Sequence, residues 1–194
     1  LASRQHAQVL LPTIHDFLAQ AEIRMTQLDG IVFGQGPGSF TGLRIVCSVV
    51  KGLAFAQDLP VYPVSTLQAI QSVTRKQRVE VTPAILAVLD ARMKELYWCF
   101  YPENEATAKE QVSAPEEIQT PAKTPFVLAG VGFEDYLDKL RSKTSTLISE
   151  SITVYPSAEE MIAMVQSGQI KPVSALEAEP IYIRNQVTHG GLGG

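Results

Sequence analysis

Apolar residues near the start of the chain recur at the three-to-four spacing of one helix face. Between residues 3 and 22 this face consists of Ala7, Leu10, Leu11, Ile14, Phe17, Leu18 and Ala21. The pattern predicts a surface helix that turns one side to the protein core. Pro12 lies inside the run and predicts a kink, because proline lacks the N–H that an interior helical turn uses.

A second helix, predicted for about residues 41–57, is apolar on nearly every side. One apolar stripe consists of Ile45, Val49 and Leu53, and a second consists of Val46 and Val50. A row of small residues at four-residue steps consists of Ser48, Gly52 and Ala56. Such a helix must be covered on nearly every side. Either its own fold buries it, or the small residues admit a helix of another chain at close range. Gly52 costs about 1 kcal/mol relative to alanine in a helix, which favours close approach.

Short runs rich in β-branched and aromatic residues alternate with the helices. Strands are predicted at 31–33, 61–64, 83–90, 95–101, 126–129 and 152–155, and further helices at 65–72, 133–140 and 157–168. The uninterrupted apolar run at 83–90 is typical of a strand buried on both faces. Residues 102–125 contain four prolines and are predicted to form a long surface loop with at most one short strand or helix. The alternation indicates an α/β fold with a largely parallel sheet.

Composition narrows the class of protein. The 194 residues are 45% hydrophobic and 19% charged, enough for one sizeable core or two small lobes that share a cleft. A net charge of −4 argues against an electrostatic nucleic-acid binder. Cys47 and Cys99 have no disulfide or zinc spacing, which indicates a reducing cytoplasm. The longest apolar runs, 84–89 and 46–56, are shorter than the roughly 20 residues of a membrane helix, so no membrane span is predicted.

A glycine-rich loop separates the first predicted strand from the second helix. Its sequence, GQGPGSFTG at residues 34–42, ends in hydroxyl residues that can cap a helix. Backbone N–H groups at such a helix start bind anions, and a following arginine can clamp one. The candidate anion-binding or nucleotide-binding residues here are Gly36, Gly38, Ser39, Thr41 and Arg44. A tight turn whose glycines only permit packing is the alternative, and the spacing matches neither a Walker loop nor a dinucleotide-binding loop.

Asp90 and Arg92 follow the buried strand at its carboxyl end, where α/β sheets place ligand groups. They are candidates for the same anion site, and a local pair that only stabilises the turn at 90–94 is the alternative. The histidines of the chain are His6, His15 and His189. They form no pair spaced for a metal, and Ser39 and Ser65 lack the context of a nucleophile. No catalytic or metal-binding residue is therefore predicted.

Five sequence blocks stand in order along most of the chain: GQGPGSFTGLR (34–44), KGLA (51–54), PVSTLQA (63–69), LDARMKELYW (89–98) and EPIYIRN (179–185). Together they resemble the bacterial TsaB family, also called YeaZ. The resemblance implies an α/β fold of two lobes that is actin-like, Hsp70-like and sugar-kinase-like. Residues 1–90 would form the N-terminal lobe and 91–194 the C-terminal lobe, with the last residues returning to the N-terminal lobe.

The resemblance also implies a function, which is a part in making threonylcarbamoyladenosine on tRNAs that read codons beginning with A. In that family the protein is a scaffold and activator that pairs with the catalytic subunit TsaD and works with the ATPase TsaE. It meets tRNA only through the complex, forms a homodimer when alone and has no membrane partner. No tightly bound cofactor is implied, and ATP or ADP is expected at the complex interface. TsaD carries a metal-binding HxxxH that this sequence lacks, which also argues against a peptidase.

In the family the first two helices of the N-terminal lobe pack against TsaD or against a second copy. Here these helices are residues 3–22 and 41–57, and the predicted interface residues are Leu11, Ile45, Val49, Gly52 and Leu53. Family members open with a strand hairpin that holds an Asp-Thr-Ser type motif, so we expect the natural protein to continue upstream of Leu1. Two alternatives to this scaffold role stay open. One is an independent nucleotide-binding or ATP-hydrolysing protein of the same fold that uses the glycine loop and Asp90. The other is a homodimeric binding module.

Overall fold

The computed structural model describes residues 6–78, 83–105, 107–144 and 147–183. The helices are α1 (His6–Gln20), α2 (Phe40–Gln57), α3 (Thr66–Lys76), α4 (Leu137–Thr144) and α5 (Ala158–Gln166). The strands are β1 (Ile31–Gly36), β2 (Val61–Ser65), β3 (Ala84–Asp90), β4 (Leu96–Tyr101), β5 (Gln111–Ser113), β6 (Phe126–Val131) and β7 (Ile148–Thr153). Short 3-10 helices lie at Met25–Gln27, Pro115–Glu117 and Glu134–Tyr136.

The first sheet pairs β1 and β2 in parallel, with Ile31 opposite Val61. Helix α2 lies on this sheet and buries only one of its faces, the one that carries Cys47, Val50 and Ala54. The core between the helix and the sheet consists of Phe33, Cys47, Val50, Ala54, Val61 and Ala178. Val46 packs against this core and stays partly exposed, and the remaining apolar residues of α2 do not belong to it.

The second sheet has five strands in the order β5-β4-β3-β6-β7. Strands β3 and β4 form an antiparallel hairpin, and β6 and β7 add in parallel on the other side of β3. Helix α3 covers one face with Leu67 and Ile70, which pack against Ile85 and Val127. The opposite face holds a second core around Leu86, Trp98, Phe126, Phe133 and Leu140. The prediction that residues 83–90 form a strand buried on both faces is confirmed.

Serine residues cap the starts of α3 and α5. Ser65 accepts hydrogen bonds from two backbone N–H groups at the start of α3, and Ser157 accepts one from Glu160 at the start of α5. Helix α3 runs to Lys76, beyond the predicted end at residue 72, because its apolar face continues along the second sheet.

Three predicted elements in the C-terminal half differ from the structure in their bounds or number. The strand predicted at 152–155 is β7 at Ile148–Thr153, which pairs with β6 over a segment with few apolar residues. The helix predicted at 133–140 begins as a 3-10 turn at Glu134–Tyr136 and continues as α4 to Thr144. The predicted loop at 102–125 holds both β5 and a 3-10 helix, because β5 pairs with β4, which lies outside the loop.

The division into lobes after residue 90 stays a prediction, and the strand pairing bears on it. Strand β3 lies before that division but pairs with β4 and β6 in the second sheet. Residues 173–183, here named the C-terminal strap, lie against the first sheet. Val173 N donates to the Val61 carbonyl at 2.8 Å, and Ile181 N donates to the Gln35 carbonyl at 2.8 Å. Ala178 of the strap is fully buried in the core under α2.

Candidate functional site

The glycine loop forms a close-packed turn between β1 and α2. Ser39 is the N-cap of α2, and its Oγ accepts a hydrogen bond from Gly42 N at 3.4 Å. Gly36 has φ of +113°, and the Gly36–Pro37 peptide bond is cis. A Cβ at Gly36 would lie 2.9 Å from Leu43 Cδ1 and 3.0 Å from the Ile181 carbonyl oxygen. Gly36 is therefore needed for the path of the loop, since the residue is buried against the strap.

A cleft of about 500 Å³ opens in front of this loop. Its lining residues are Gly38, Ser39, Phe40, Thr41, Leu89, Asp90, Ala91, Arg92, Tyr97, Ile181, Tyr182 and Ile183. The cleft thus brings together the start of α2, the end of β3 and the end of the strap. Of the predicted anion-site residues, Gly38, Ser39, Thr41, Asp90 and Arg92 line it, whereas Gly36 and Arg44 do not.

Asp90 and Arg92 form the local pair that the sequence left open. Asp90 Oδ1 accepts a hydrogen bond from Arg92 N at 2.9 Å, and Oδ2 lies 3.4 Å from Arg92 Nη1. Gly132 lies against Asp90. Its φ is +75°, and a Cβ added to it would lie 2.7 Å from Asp90 Cβ. The Arg92 side chain is 88% exposed and Asp90 27% exposed. The carboxylate is therefore held within its own turn, while the guanidinium stands at the mouth of the cleft.

Arg44 lies outside the cleft and among aromatic rings. Its guanidinium carbon stands 3.9 Å from the centre of the Phe40 ring, and its Nε donates to the Tyr182 hydroxyl at 3.1 Å. The Phe40 and Tyr182 rings are 5.1 Å apart. Sequence reasoning named neither aromatic residue, although Phe40 inside a loop of small residues and the tyrosine of the PIYIR segment were visible signals. The role of Arg44 at an anion stays a prediction.

Buried titratable groups lie under α3, apart from the cleft. The Ser65 hydroxyl donates to the Glu110 carboxylate. Burial raises the pKa of Glu110, although the hydrogen bond from Ser65 acts to lower it. Burial also raises the pKa of Cys99 to about 12, and it raises the pKa of Tyr101 well above its ordinary range. None of these side chains lines the cleft, so they belong to the packing of α3 on the second sheet.

The second candidate site is the exposed face of α2. Ser48, Gly52 and Ala56 stand at four-residue steps along it, and all three are exposed. A Cβ built at Gly52 meets no atom within 4 Å. The glycine thus has no packing role inside the described part of the chain. The exposure of this small-residue row contradicts the interpretation that its own fold buries the helix completely.

An apolar groove of about 380 Å³ runs between α1 and α2 beside this face. It is lined by Val9, Leu10, Thr13, Gly42, Ile45 and Val46. Of the predicted interface residues, Leu11 is 48% exposed and Gly52 is exposed, while Ile45, Val49 and Leu53 are half-buried. The large apolar side chains Phe17 on α1 and Phe55 on α2 are 66% and 75% exposed. The face formed by α1 and α2, here named the α1–α2 face, is therefore apolar and open.

Helix α2 also has the length and composition that would let a helix cross a membrane. Its 18 residues extend on both sides of the apolar run at 46–56. It also carries Arg44 and Lys51, and charged side chains are costly inside a membrane. Among the residues that the structure describes, no group of three or more histidine, cysteine, aspartate or glutamate side chains is placed to hold a metal ion.

Comparison with known proteins gives the family. Residues 1–158 match the family model described as TsaD: tRNA N6-adenosine threonylcarbamoyltransferase. Two relatives named tRNA threonylcarbamoyladenosine biosynthesis protein TsaB cover the whole chain. The Escherichia coli protein is 34% identical, with 87% of its length covered, and the Haemophilus influenzae protein is 35% identical, with 86% covered.

Solved structures agree with the sequence relatives. YeaZ from Pseudomonas aeruginosa matches with a TM-score of 0.76 and 34% identity over 92% of this chain and 84% of that one. A second structure, described as an uncharacterized protein with similarity to peptidase YEAZ from Pseudomonas aeruginosa, matches with a TM-score of 0.77 and 32% identity over the same shares. The predicted α/β fold of the actin-like, Hsp70-like and sugar-kinase-like class is confirmed, and the chain belongs to the TsaB (YeaZ) family.

Proposed function

We propose that this chain is a non-catalytic scaffold and activator in the synthesis of N6-threonylcarbamoyladenosine on tRNA. It pairs with the catalytic subunit TsaD, works with the ATPase TsaE in the cytoplasm and contacts tRNA only through that complex. The single observation that carries the proposal is the open α1–α2 face, on which Gly52 is exposed and a Cβ added to it would have no neighbour in the described part of the chain. The names of the relatives, which are tRNA threonylcarbamoyladenosine biosynthesis proteins, support the pathway.

The α1–α2 face has the properties of a surface that another chain covers. The two helices expose Leu11, Phe17 and Phe55, and α2 also exposes a row of small residues. Contiguous apolar patches on soluble proteins mark interaction sites. A glycine in an exposed helix weakens that helix by about 1 kcal/mol unless a close neighbour uses the space. A helix packed directly over Ser48, Gly52 and Ala56 uses that space, which supports docking of a helical partner on this face.

The non-catalytic part of the proposal rests on the side chains available. The sequence contains three histidines and no pair of them spaced four residues apart. The Asp90 carboxylate accepts a hydrogen bond from Arg92 N and pairs with the Arg92 guanidinium, and neither group is a nucleophile. Ser39 and Ser65 act as helix caps, as their hydrogen bonds indicate. These residues are therefore assigned to structure and binding, not to bond making.

The cleft favours a second candidate function, the binding of ATP or ADP. Hydroxyls of Ser39 and Thr41 lie at the start of α2, where backbone N–H groups attract phosphate. Tyr97 and Tyr182 supply flat apolar surface for a base, and Arg92 supplies a positive charge at the mouth. An independent ATPase of this fold would need Asp90 for turnover. ATP hydrolysis by the purified chain that is lost in Asp90→Ala would favour this candidate over the scaffold.

The test of the proposed function is size-exclusion chromatography with light scattering, on the chain alone and mixed with TsaD of the same organism. We expect a homodimer alone and a one-to-one complex in the mixture, because one face serves both contacts. Reconstituted tRNA modification should then require both proteins together with TsaE. The absence of a complex at micromolar concentrations, or full modification without this chain, would refute the proposal.

A further inference from the structure

The C-terminal strap is tied to one side of α2. Among the described residues the strap forms no helix or strand of its own. Backbone hydrogen bonds of Val173 and Ile181 to the first sheet, the burial of Ala178 and side-chain hydrogen bonds from α2 hold its path. Three α2 side chains three and four positions apart donate these bonds and therefore lie on one side of the helix. The bonds, each 3.1 Å long, run from Arg44 Nε to Tyr182 Oη, from Cys47 Sγ to the Ala178 carbonyl and from Lys51 Nζ to the Leu176 carbonyl.

The far end of the strap is a wall of the cleft. Ile181, Tyr182 and Ile183 line it together with Asp90 and Arg92. Ile181 is attached to β1 through its N–H bond to the Gln35 carbonyl, and the Tyr182 ring lies against Phe40 at the start of α2. The position of this wall thus depends on the same segment that the α2 side chains hold.

The tied side of α2 borders the exposed row of small residues. Ser48 lies four positions after Arg44 and three before Lys51, one turn from Gly52. Ser48, Arg44 and Lys51 also line one shallow groove with Glu179 and Tyr182 of the strap. A partner helix over Ser48 and Gly52 therefore covers the stems of Arg44 and Lys51. Removal of water strengthens hydrogen bonds, because fewer competing donors and acceptors remain and the local dielectric falls.

We infer that the strap couples docking on the α1–α2 face to the cleft. Docking tightens the bonds from Arg44 and Lys51, and the tightened strap holds the wall at 181–183 in place. The inference rests on the proposed function, because it needs a partner on that face. It goes further in assigning a regulatory role to the strap. Since coupling between two binding events is reciprocal, a phosphate-bearing ligand that binds better when the wall at 181–183 is held in place also favours docking.

Hydrogen–deuterium exchange with mass spectrometry tests the inference, on the chain alone and in its complex with TsaD. We expect complex formation to slow exchange both in α2 and in residues 174–183. The slowing in the strap should be about tenfold, which corresponds to strengthening by about one hydrogen bond. In the double variant Tyr182→Phe/Lys51→Met, which removes two tethers and keeps the side-chain bulk, α2 should still slow while the strap slows much less.

The matched control is Tyr155→Phe/Lys171→Met, which makes the same chemical changes at exposed positions outside the tethers. The single variant Tyr182→Phe repeats the measurement with only one hydroxyl removed, so a folding defect of the double variant does not decide the result. A complex that protects α2 but leaves the strap unchanged overturns the coupling and leaves the docking intact. Equal slowing of the strap in wild type and double variant also overturns it, because the partner then covers the strap directly. If no complex forms and α2 is not protected, the proposed function fails and the coupling with it.

Discussion

Replacing Gly52 by arginine separates docking from folding. In the free chain a side chain at this position extends into open space, since no atom lies within 4 Å of the Cβ. Glycine costs an exposed helix about 1 kcal/mol relative to alanine, and arginine is among the good helix formers. At a protein concentration low enough to keep the chain monomeric, we therefore expect the free energy of unfolding of Gly52→Arg to be unchanged or raised by up to about 1 kcal/mol.

The effect on docking has the opposite sign. A partner helix that packs at close range over Ser48, Gly52 and Ala56 leaves no room for a long charged side chain. Truncations and clashes at the centre of an interface cost about 2 kcal/mol or more, which is roughly a 30-fold rise in Kd. Gly52→Ala should fall between wild type and Gly52→Arg, because one methyl group forces the helices apart by less.

Titration calorimetry with TsaD and chemical denaturation of the free variants measure the two effects. Gln57→Arg is the matched control, since it adds the same side chain to an exposed position of α2 on another side of the helix. We expect the control to bind like the wild type. Wild-type affinity of Gly52→Arg would refute docking over Gly52. Equal losses in Gly52→Arg and Gln57→Arg would show that added charge, not position, weakens the complex.

Three further predictions concern the packing around the site. Because burial raises the pKa of Glu110 in the folded chain, its contribution to stability is fully present below the ordinary value of 4.5 and is lost as the pH rises through the raised pKa. Glu110→Gln should therefore raise Tm more at pH 8 than at pH 4, and a Tm difference independent of pH would contradict this assignment. Burial raises the pKa of both Cys47 and Cys99, so the native chain should react slowly with Ellman's reagent and release two equivalents only on denaturation. Rapid reaction of the native chain would show that these thiols are accessible. Gly132→Ala should lower the free energy of unfolding by about 2 kcal/mol or more, because its φ is positive and the new Cβ meets Asp90. A denaturation midpoint equal to that of the wild type would show that the turn at Asp90 adapts.

The helices and most strands follow from local pattern. The spacing of apolar residues is enough to predict the helix at 3–22, and a capping residue marks the start of α2. The uninterrupted apolar run at 83–90 predicts a strand that is buried on both faces. The strand β7 was misplaced, because Ile148–Thr153 carries polar residues and becomes a strand only through its pairing with β6. Edge strands depend on a partner that local sequence does not display.

The candidate site likewise has parts that local sequence predicts and parts that depend on long-range contacts. The glycine loop and the Asp90–Arg92 turn were visible as local motifs, and the fold brings them to one cleft because β1 and β3 end near each other. Arg44 was expected at an anion, yet its neighbours are Phe40 and Tyr182, the latter 138 positions away. No spacing rule connects residues so far apart, so the strap as a cleft wall was not predicted.

The sequence by itself determined the family, the α/β class and the chemical character of α2, since these depend on residue types at short spacing. Only the tertiary structure decided which side of α2 is buried. Cys47, Val50 and Ala54 meet the first sheet, the strap bonds to Arg44 and Lys51, and Gly52 remains open. A helix that is apolar all round has no preferred side of its own. The sheet and the strap that pack against it select one, and the side they leave exposed is the one proposed for docking.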